Sequence, residues 1–329
     1  MRPSPVRRLA LAAVTGLITL VAIAVLLEGY VRLVADDGMQ YDLEMWKYAR
    51  DVKRVSADPL IGHEHAPNRH ATLMGVAFDT NAEGLRDRDF SYERKPGTLR
   101  IEMLGDSLVV GWGVANDDTF AKRLERLYRD DGVDAEVINT GVGNYNTVQE
   151  VEYFLTRGYK YRPDIVVLNF FVNDAEPVPA DRPPSFLVRH CYACVFIAGR
   201  LDTLRREIFG GKDWRDYYLG LYGGGQAKGW RDARTAIHRL AEYCRSNGSK
   251  LVIVSLPDLH QLRPYPLQSI TDLVHAAADE EKVAFADMLP YLRDQDPSTL
   301  WVTPPDPHPN ARADKFIAAG LFDALQESR

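Results

Sequence analysis

Two short segments of this chain carry side chains that can do acyl chemistry together. Gly105-Asp106-Ser107-Leu108 sets a hydroxyl at the end of an apolar run, and Asp306-Pro307-His308 sets a carboxylate and an imidazole two residues apart. Serine is a weak nucleophile at its free pKa. It attacks an acyl carbon only when a base takes its proton and a third group orients that base. His308 is the candidate base and Asp306 the candidate orienting group. Attack on an ester builds an oxyanion, and each donor placed beforehand for that charge contributes about 2.7–4 kcal/mol. The candidate donors are the Ser107 N–H, the N–H of Gly143 or Asn144 in Asn139-Thr140-Gly141-Val142-Gly143-Asn144, and the Asn173 side-chain amide in Val172-Asn173-Asp174. Each segment alone has a plain structural reading. Gly-Asp-Ser is a common turn, His308 can cap a helix, and Asn173-Asp174 can start one. What points to catalysis is the combination, in order, each at the end of an expected strand or the start of an expected helix.

The elements that must position these groups follow from the hydrophobic pattern. Short apolar runs at 101–104, 137–139, 164–171, 250–256 and 283–285 read as buried strands. Between and after them, 119–128, 147–155, 230–244, 270–281 and 311–325 read as amphipathic helices. Alternating strands and helices imply a parallel sheet with helices on both faces. In such sheets reactive groups gather beyond the carboxyl ends of the strands. All four segments lie there.

With those residues in place, the chain resembles the SGNH/GDSL hydrolase family, named for blocks carrying Ser, Gly, Asn and His. Ser107 in Gly-Asp-Ser-Leu corresponds to the first block, the Asn139–Asn144 turn to the second, Asn173 to the third, and Asp306 with His308 to the last. The resemblance covers roughly residues 99–328. It implies a flavodoxin-like three-layer α/β/α fold and a serine esterase that needs no cofactor or metal. Three positions depart from the family pattern. Asn144 stands where the second block usually has glycine, although asparagine tolerates positive φ better than most residues. Phe171 replaces the glycine that usually opens the third block, which is expected to reshape the pocket wall. Asp306 lies two rather than three residues before the histidine. The second glycine of a G-x-S-x-G elbow is missing after Ser107, which disfavours the α/β-hydrolase arrangement.

The remainder of the sequence bounds location and partners. Its 329 residues carry a formal net charge of -6 with mixed signs and no basic face, so nucleic acid is an unexpected partner. Arg2, Arg7 and Arg8 precede an uncharged apolar run at 9–27. At about 1.5 Å per residue that run nearly spans a bilayer core of about 30 Å. Arginines stay on the cytoplasmic side, which sets everything after Glu28 outside it. A cleaved signal peptide is the rival reading, and it lacks a good small-x-small site. The expected organisation is an anchor at 1–28, a juxtamembrane stalk and small irregular region with a hairpin or two at 29–98, and an SGNH-like domain at 99–329. An insertion at 175–227 interrupts that domain. Its aromatics can pack the insertion onto the core or stack on sugar rings.

Cys191 and Cys194 form a C-x-x-C in which a local disulfide or two packed thiols is the expected state. His63, His65 and His70 with Asp58 and Glu64 fit no metal spacing, and Asp258 with His260 is a minor competitor for the role of base. An extracytoplasmic serine esterase suits O-acyl groups on an acylated carbohydrate of the cell envelope. The same acyl-enzyme resolved by a sugar hydroxyl gives an O-acyltransferase, and one formed on another ester substrate gives a lipase or thioesterase. A member of this fold without turnover gives a glycan-binding module.

Overall fold

Five apolar runs form one parallel sheet. In a computed structural model, which describes residues 4–178, 186–209, 213–304 and 306–327, they are β1 (Leu99–Leu104), β2 (Ala135–Asn139), β3 (Ile165–Phe170), β4 (Lys250–Ser255) and β5 (Ala284–Asp287). Their order across the sheet is β2-β1-β3-β4-β5, with every neighbouring pair parallel. This is the flavodoxin-like order, whose reversal beside β1 opens a crevice at the strands' carboxyl ends.

The two-residue side-chain period of a strand divides the core into two layers. Ile101, Met103, Val137, Ile165, Val167, Val252 and Val254 face one side. There they meet Phe120 and Leu124 of helix Phe120–Asp130 and Ile317 and Leu321 of helix Ala311–Glu327. Leu104, Val166, Leu168, Phe170, Leu251 and Ile253 face the other. They pack on Phe154 of helix Thr147–Thr156, Trp230 and Ile237 of helix Lys228–Asn247, and Val274 of helix Gln268–Glu281. Burying each large apolar side chain contributes about 1.5–3 kcal/mol, and both faces of the sheet do so. That is why these strands read as continuous apolar runs rather than alternating ones.

The expected hairpins are present: Lys53–Val55 pairs antiparallel with His63–His65, and His70–Leu73 with Val76–Asp79. The chain divides into two compact units differently from the sequence expectation. One holds residues 1–47 and 183–211; the other holds 48–182 and 212–329. The 29–98 region is therefore split at Lys47, and the 175–227 insertion is split as well.

The first unit begins with helix Pro5–Tyr30, in which no residue is buried. The Glu28 carboxylate accepts hydrogen bonds from the Tyr192 and Ala193 N–H groups at the start of helix Tyr192–Phe209. Arg32 pairs with Glu28 at 2.6 Å and donates to the His190 carbonyl at 2.7 Å. Cys191 and Cys194 are joined as a disulfide in this unit. In the second unit, the remainder of the insertion forms helix Trp214–Tyr222. Trp214, Tyr218 and Leu221 of this helix pack against the sheet's second apolar layer.

Candidate active site

Ser107 opens a four-residue helix, Ser107–Val110, immediately beyond β1. Asp106 caps that helix, its carboxylate accepting from the Leu108 N–H at 2.8 Å. The turn is tight enough that a Cβ on Gly105 would overlap Val109. The far end of the helix is held by Arg86, a guanidinium only 1% exposed. It donates to the carbonyls of Val110 at 2.9 Å, Gly111 at 2.6 Å and Val114 at 2.8 Å. Burial lowers the Arg86 pKa to about 10, so the group remains charged at neutral pH.

Two short antiparallel strands bring His308 to Ser107: β6 (Trp301–Thr303) and β7 (Asp306–Pro309). Asn310 then anchors the start of the last helix. Its side-chain oxygen accepts from the Arg312 and Ala313 N–H groups, and its amide donates to the Thr299 and Trp301 carbonyls. In this setting His308 Nε2 lies 2.8 Å from Ser107 Oγ. His308 Nδ1 is hydrogen-bonded to Asp306 Oδ1, which also accepts from the His308 N–H at 3.1 Å. The two-residue spacing is therefore sufficient, because one carboxylate oxygen serves both the ring and the backbone of the same histidine.

Sequence reading missed the partner of the other Asp306 oxygen. Trp112 donates its Nε1–H to Asp306 Oδ2 at 3.0 Å. Asp306 is fully buried. Burial alone raises its pKa, but the hydrogen bonds from His308 and Trp112 and the imidazole's charge outweigh it and hold the carboxyl below its ordinary value. Asp306 thus stays ionised while bonded to Nδ1, which leaves Nε2 as the nitrogen facing Ser107.

The candidate oxyanion donors come from two loops. Asn144 has φ +67°, the left-handed conformation asparagine adopts more readily than most residues. Gly143 is differently engaged: its N–H donates to the Tyr48 hydroxyl at 2.9 Å. Asn173 Nδ2 lies 3.4 Å from Asp106 Oδ2, the same oxygen that Ser107 Oγ reaches at 3.5 Å. Asn173 therefore sits beside the turn that carries Ser107. Phe171 is partly buried against both core layers, with its ring centroid 6.3 Å from that of Tyr218.

The other titratable candidates lie elsewhere. His260 bonds Asp258 at 2.8 Å and stacks on Trp214, with ring centroids 4.7 Å apart. It is His308, not His260, that is bonded to Ser107. His65 bonds Tyr48 and the Gly84 carbonyl, and His70 bonds Asp79 across its hairpin. Among the described residues no group of three or more His, Cys, Asp or Glu side chains is placed to hold a metal ion.

The family model described as GDSL-like Lipase/Acylhydrolase matches residues 103–315. No curated protein matches the chain. Among solved structures, a psychrotrophic esterase, EstA, from a Pseudoalteromonas species is 14% identical, with 70% of this chain and 97% of that one covered and a TM-score of 0.45. The acetylxylan esterase Axe2 from Geobacillus stearothermophilus is 13% identical, with 69% and 94% covered and a TM-score of 0.46. A protein described as a putative lipolytic member of the G-D-S-L family from Desulfitobacterium hafniense is 13% identical, with 69% and 99% covered and a TM-score of 0.44. The matched span contains both Ser107 and His308, and the chain belongs to the GDSL-like lipase/acylhydrolase family of serine ester hydrolases.

Proposed function

We propose that this chain is a membrane-anchored, extracytoplasmic serine esterase that removes O-acyl groups from an envelope glycan through an acyl-enzyme on Ser107. The observation that carries the catalytic reading is the unbroken hydrogen-bond chain from Ser107 through His308 to Asp306. Ser107 Oγ attacks the acyl carbon as His308 Nε2 takes its proton, and the carbonyl oxygen becomes the oxyanion. The Ser107 N–H, the Asn144 N–H and the Asn173 amide receive that charge. Collapse expels the sugar alkoxide, which takes the proton back from His308. Water, deprotonated by the same imidazole, then attacks the acyl-serine; collapse breaks the acyl–Oγ bond, releases the acid, and returns the proton from His308 to Ser107 Oγ. Asp306 stabilises the imidazolium in both half-reactions.

Two features support the location. Helix Pro5–Tyr30 and its continuation to Ala35 reach a mean hydropathy of 2.7 over their most apolar window, with none of that window buried. In the sequence Arg2, Arg7 and Arg8 precede the apolar run at 9–27, and a cationic flank stays cytoplasmic. An acylated glycan is one class of ester that such a location offers.

The test is turnover of p-nitrophenyl acetate by the full chain in detergent, then of acetylated oligosaccharides. Ser107→Ala should abolish release of nitrophenol, and full activity in that variant would exclude the mechanism. Free acetate released from the glycan supports hydrolysis. Acetyl appearing on an added unacetylated oligosaccharide, at the expense of free acetate, identifies a transferase instead.

A further inference from the structure

The loop that carries Asn144 is gripped on both sides by a segment some ninety residues earlier in sequence. On one side the Gly143 N–H donates to the Tyr48 hydroxyl at 2.9 Å, and Tyr48 is bonded to His65 Nε2 at 2.6 Å. His65 Nδ1 lies 3.0 Å from the Gly84 carbonyl. Burial holds the His65 pKa down to about 3, so the ring is neutral. The polarity then follows: Nδ1–H donates to Gly84, Nε2 accepts the Tyr48 proton, and the Tyr48 oxygen accepts from Gly143. There is no room for a side chain at 143, since a Cβ would lie 2.8 Å from Tyr48 Cε1.

On the other side the Lys53 ammonium donates to the Gly143 carbonyl and, at 3.0 Å, to Asn144 Oδ1. His63 Nε2 lies 3.1 Å from Lys53 Nζ and 3.2 Å from the same carbonyl. The Gly143 C=O and the Asn144 N–H belong to one planar trans peptide and point in opposite directions. Fixing the carbonyl therefore fixes where the N–H points. A positive charge on the carbonyl also polarises the peptide and strengthens its N–H as a donor.

We infer that Lys53 is a positioning residue for ester cleavage: through the Gly143–Asn144 peptide it aims and polarises the Asn144 N–H at the oxyanion, with Tyr48 and His65 holding the preceding amide. This also gives a reason for asparagine where the family has glycine. The side chain that makes φ +67° harder than it would be for glycine supplies a second acceptor for Lys53. The inference rests on the reading of Ser107 as the nucleophile.

The test uses the full chain in detergent, p-nitrophenyl acetate as substrate, and methylboronic acid as a probe that forms a tetrahedral adduct on an active serine. Removing an oxyanion donor outright lowers kcat about 10²–10³-fold, so misaiming one predicts a smaller loss, about 10- to 100-fold. Lys53→Met should lower kcat by that factor, leave KM within about twofold, and weaken boronic acid binding in step with kcat. Tyr48→Phe should give the same pattern from the other side of the loop, and it decides the matter if Lys53→Met does not fold. Folded variants with wild-type kcat, or a loss confined to KM, would overturn the inference. Ser107→Ala separates the two failures. If it is inactive while Lys53→Met and Tyr48→Phe match wild type, only the clamp is wrong. If it keeps turnover, the nucleophile itself is misassigned.

Discussion

Asp306→Asn tests the triad through a conflict that the structure makes specific. One Asp306 oxygen accepts from two donors of His308 and the other from Trp112 Nε1–H at 3.0 Å. An asparagine has one oxygen and one NH2 to offer. With the NH2 toward Trp112, two N–H groups oppose each other in a site with no exposure. With the NH2 toward His308, the backbone N–H is opposed and the ring must present Nδ1 as an acceptor, which protonates Nε2 and removes the base. A buried unmet donor costs about 1–3 kcal/mol, so neither orientation is comfortable, and the charge that stabilises the imidazolium is lost in both. The corresponding substitution in a Ser-His-Asp site lowers kcat about 10⁴-fold, equivalent to about 5 kcal/mol. Trp112→Phe alone should lower kcat by about tenfold, because one charge-assisted hydrogen bond is removed and the remaining ones persist. The two changes should not add. With the indole gone, the asparagine NH2 can occupy its place and leave the oxygen for His308, restoring the productive tautomer. Asp306→Asn with Trp112→Phe should therefore be faster than Asp306→Asn alone, by about tenfold or more. The assay is kcat on p-nitrophenyl acetate across the double-mutant cycle, with thermal unfolding as the check on folding. A double variant as slow as the product of the two single losses would refute the competition for the two oxygens.

Three further outcomes are expected. Glu102 is fully buried on β1 with neither carboxylate oxygen hydrogen-bonded, and burial raises its pKa to about 8. Between about pH 4.5 and 8 the unfolded chain releases a proton that the folded one keeps, so this group's contribution falls as pH rises, and Glu102→Gln should stabilise the protein by about 4 kcal/mol near pH 7.5 in denaturant titrations. An unchanged midpoint would mean that Glu102 is solvated or paired. His65 has the opposite sense: its folded value of about 3 lies below the ordinary imidazole value of about 6.5. Its contribution is complete above pH 6.5 and is lost as pH falls toward 3, and His65→Gln should make the acid side of the stability profile shallower; an unaltered slope would contradict the buried neutral ring. A reporter active only outside the cytoplasm, fused after Glu28, should be active, and a silent fusion would reverse the proposed orientation.

The sheet was legible in the sequence because parallel strands buried on both faces must be continuously apolar, and Val166-Val167-Leu168 on β3 has nowhere else to go. The hydrogen-bonded set of Ser107, His308 and Asp306 was legible for a related reason: residue types able to serve as nucleophile, base and carboxylate are few, and each stands beyond a strand or before a helix. The sequence places His308 only by its position ahead of the last helix. It lies on a strand that Pro307 and Pro309 disguise, since proline survives only where a ladder hydrogen bond is not required. Trp112 was invisible because a buried indole reads as core until its N–H is followed to Asp306. Tyr48, Lys53 and His63 were hidden by distance along the chain, for nothing local to them signals a partner at Gly143 or Asn144. The division of the insertion was hidden in the same way, because Glu28 holds the Tyr192 and Ala193 amides across more than 160 residues.

The nucleophile can be seen directly. Full-length protein treated with a nitrophenyl alkylphosphonate should lose esterase activity with one phosphonyl group per chain. Peptide mass mapping should find that group on the segment containing Ser107, and His308→Ala should react far more slowly. A phosphonyl group on any other residue, or activity lost with Ser107 unmodified, would contradict the assignment of Ser107 as the residue that attacks the ester.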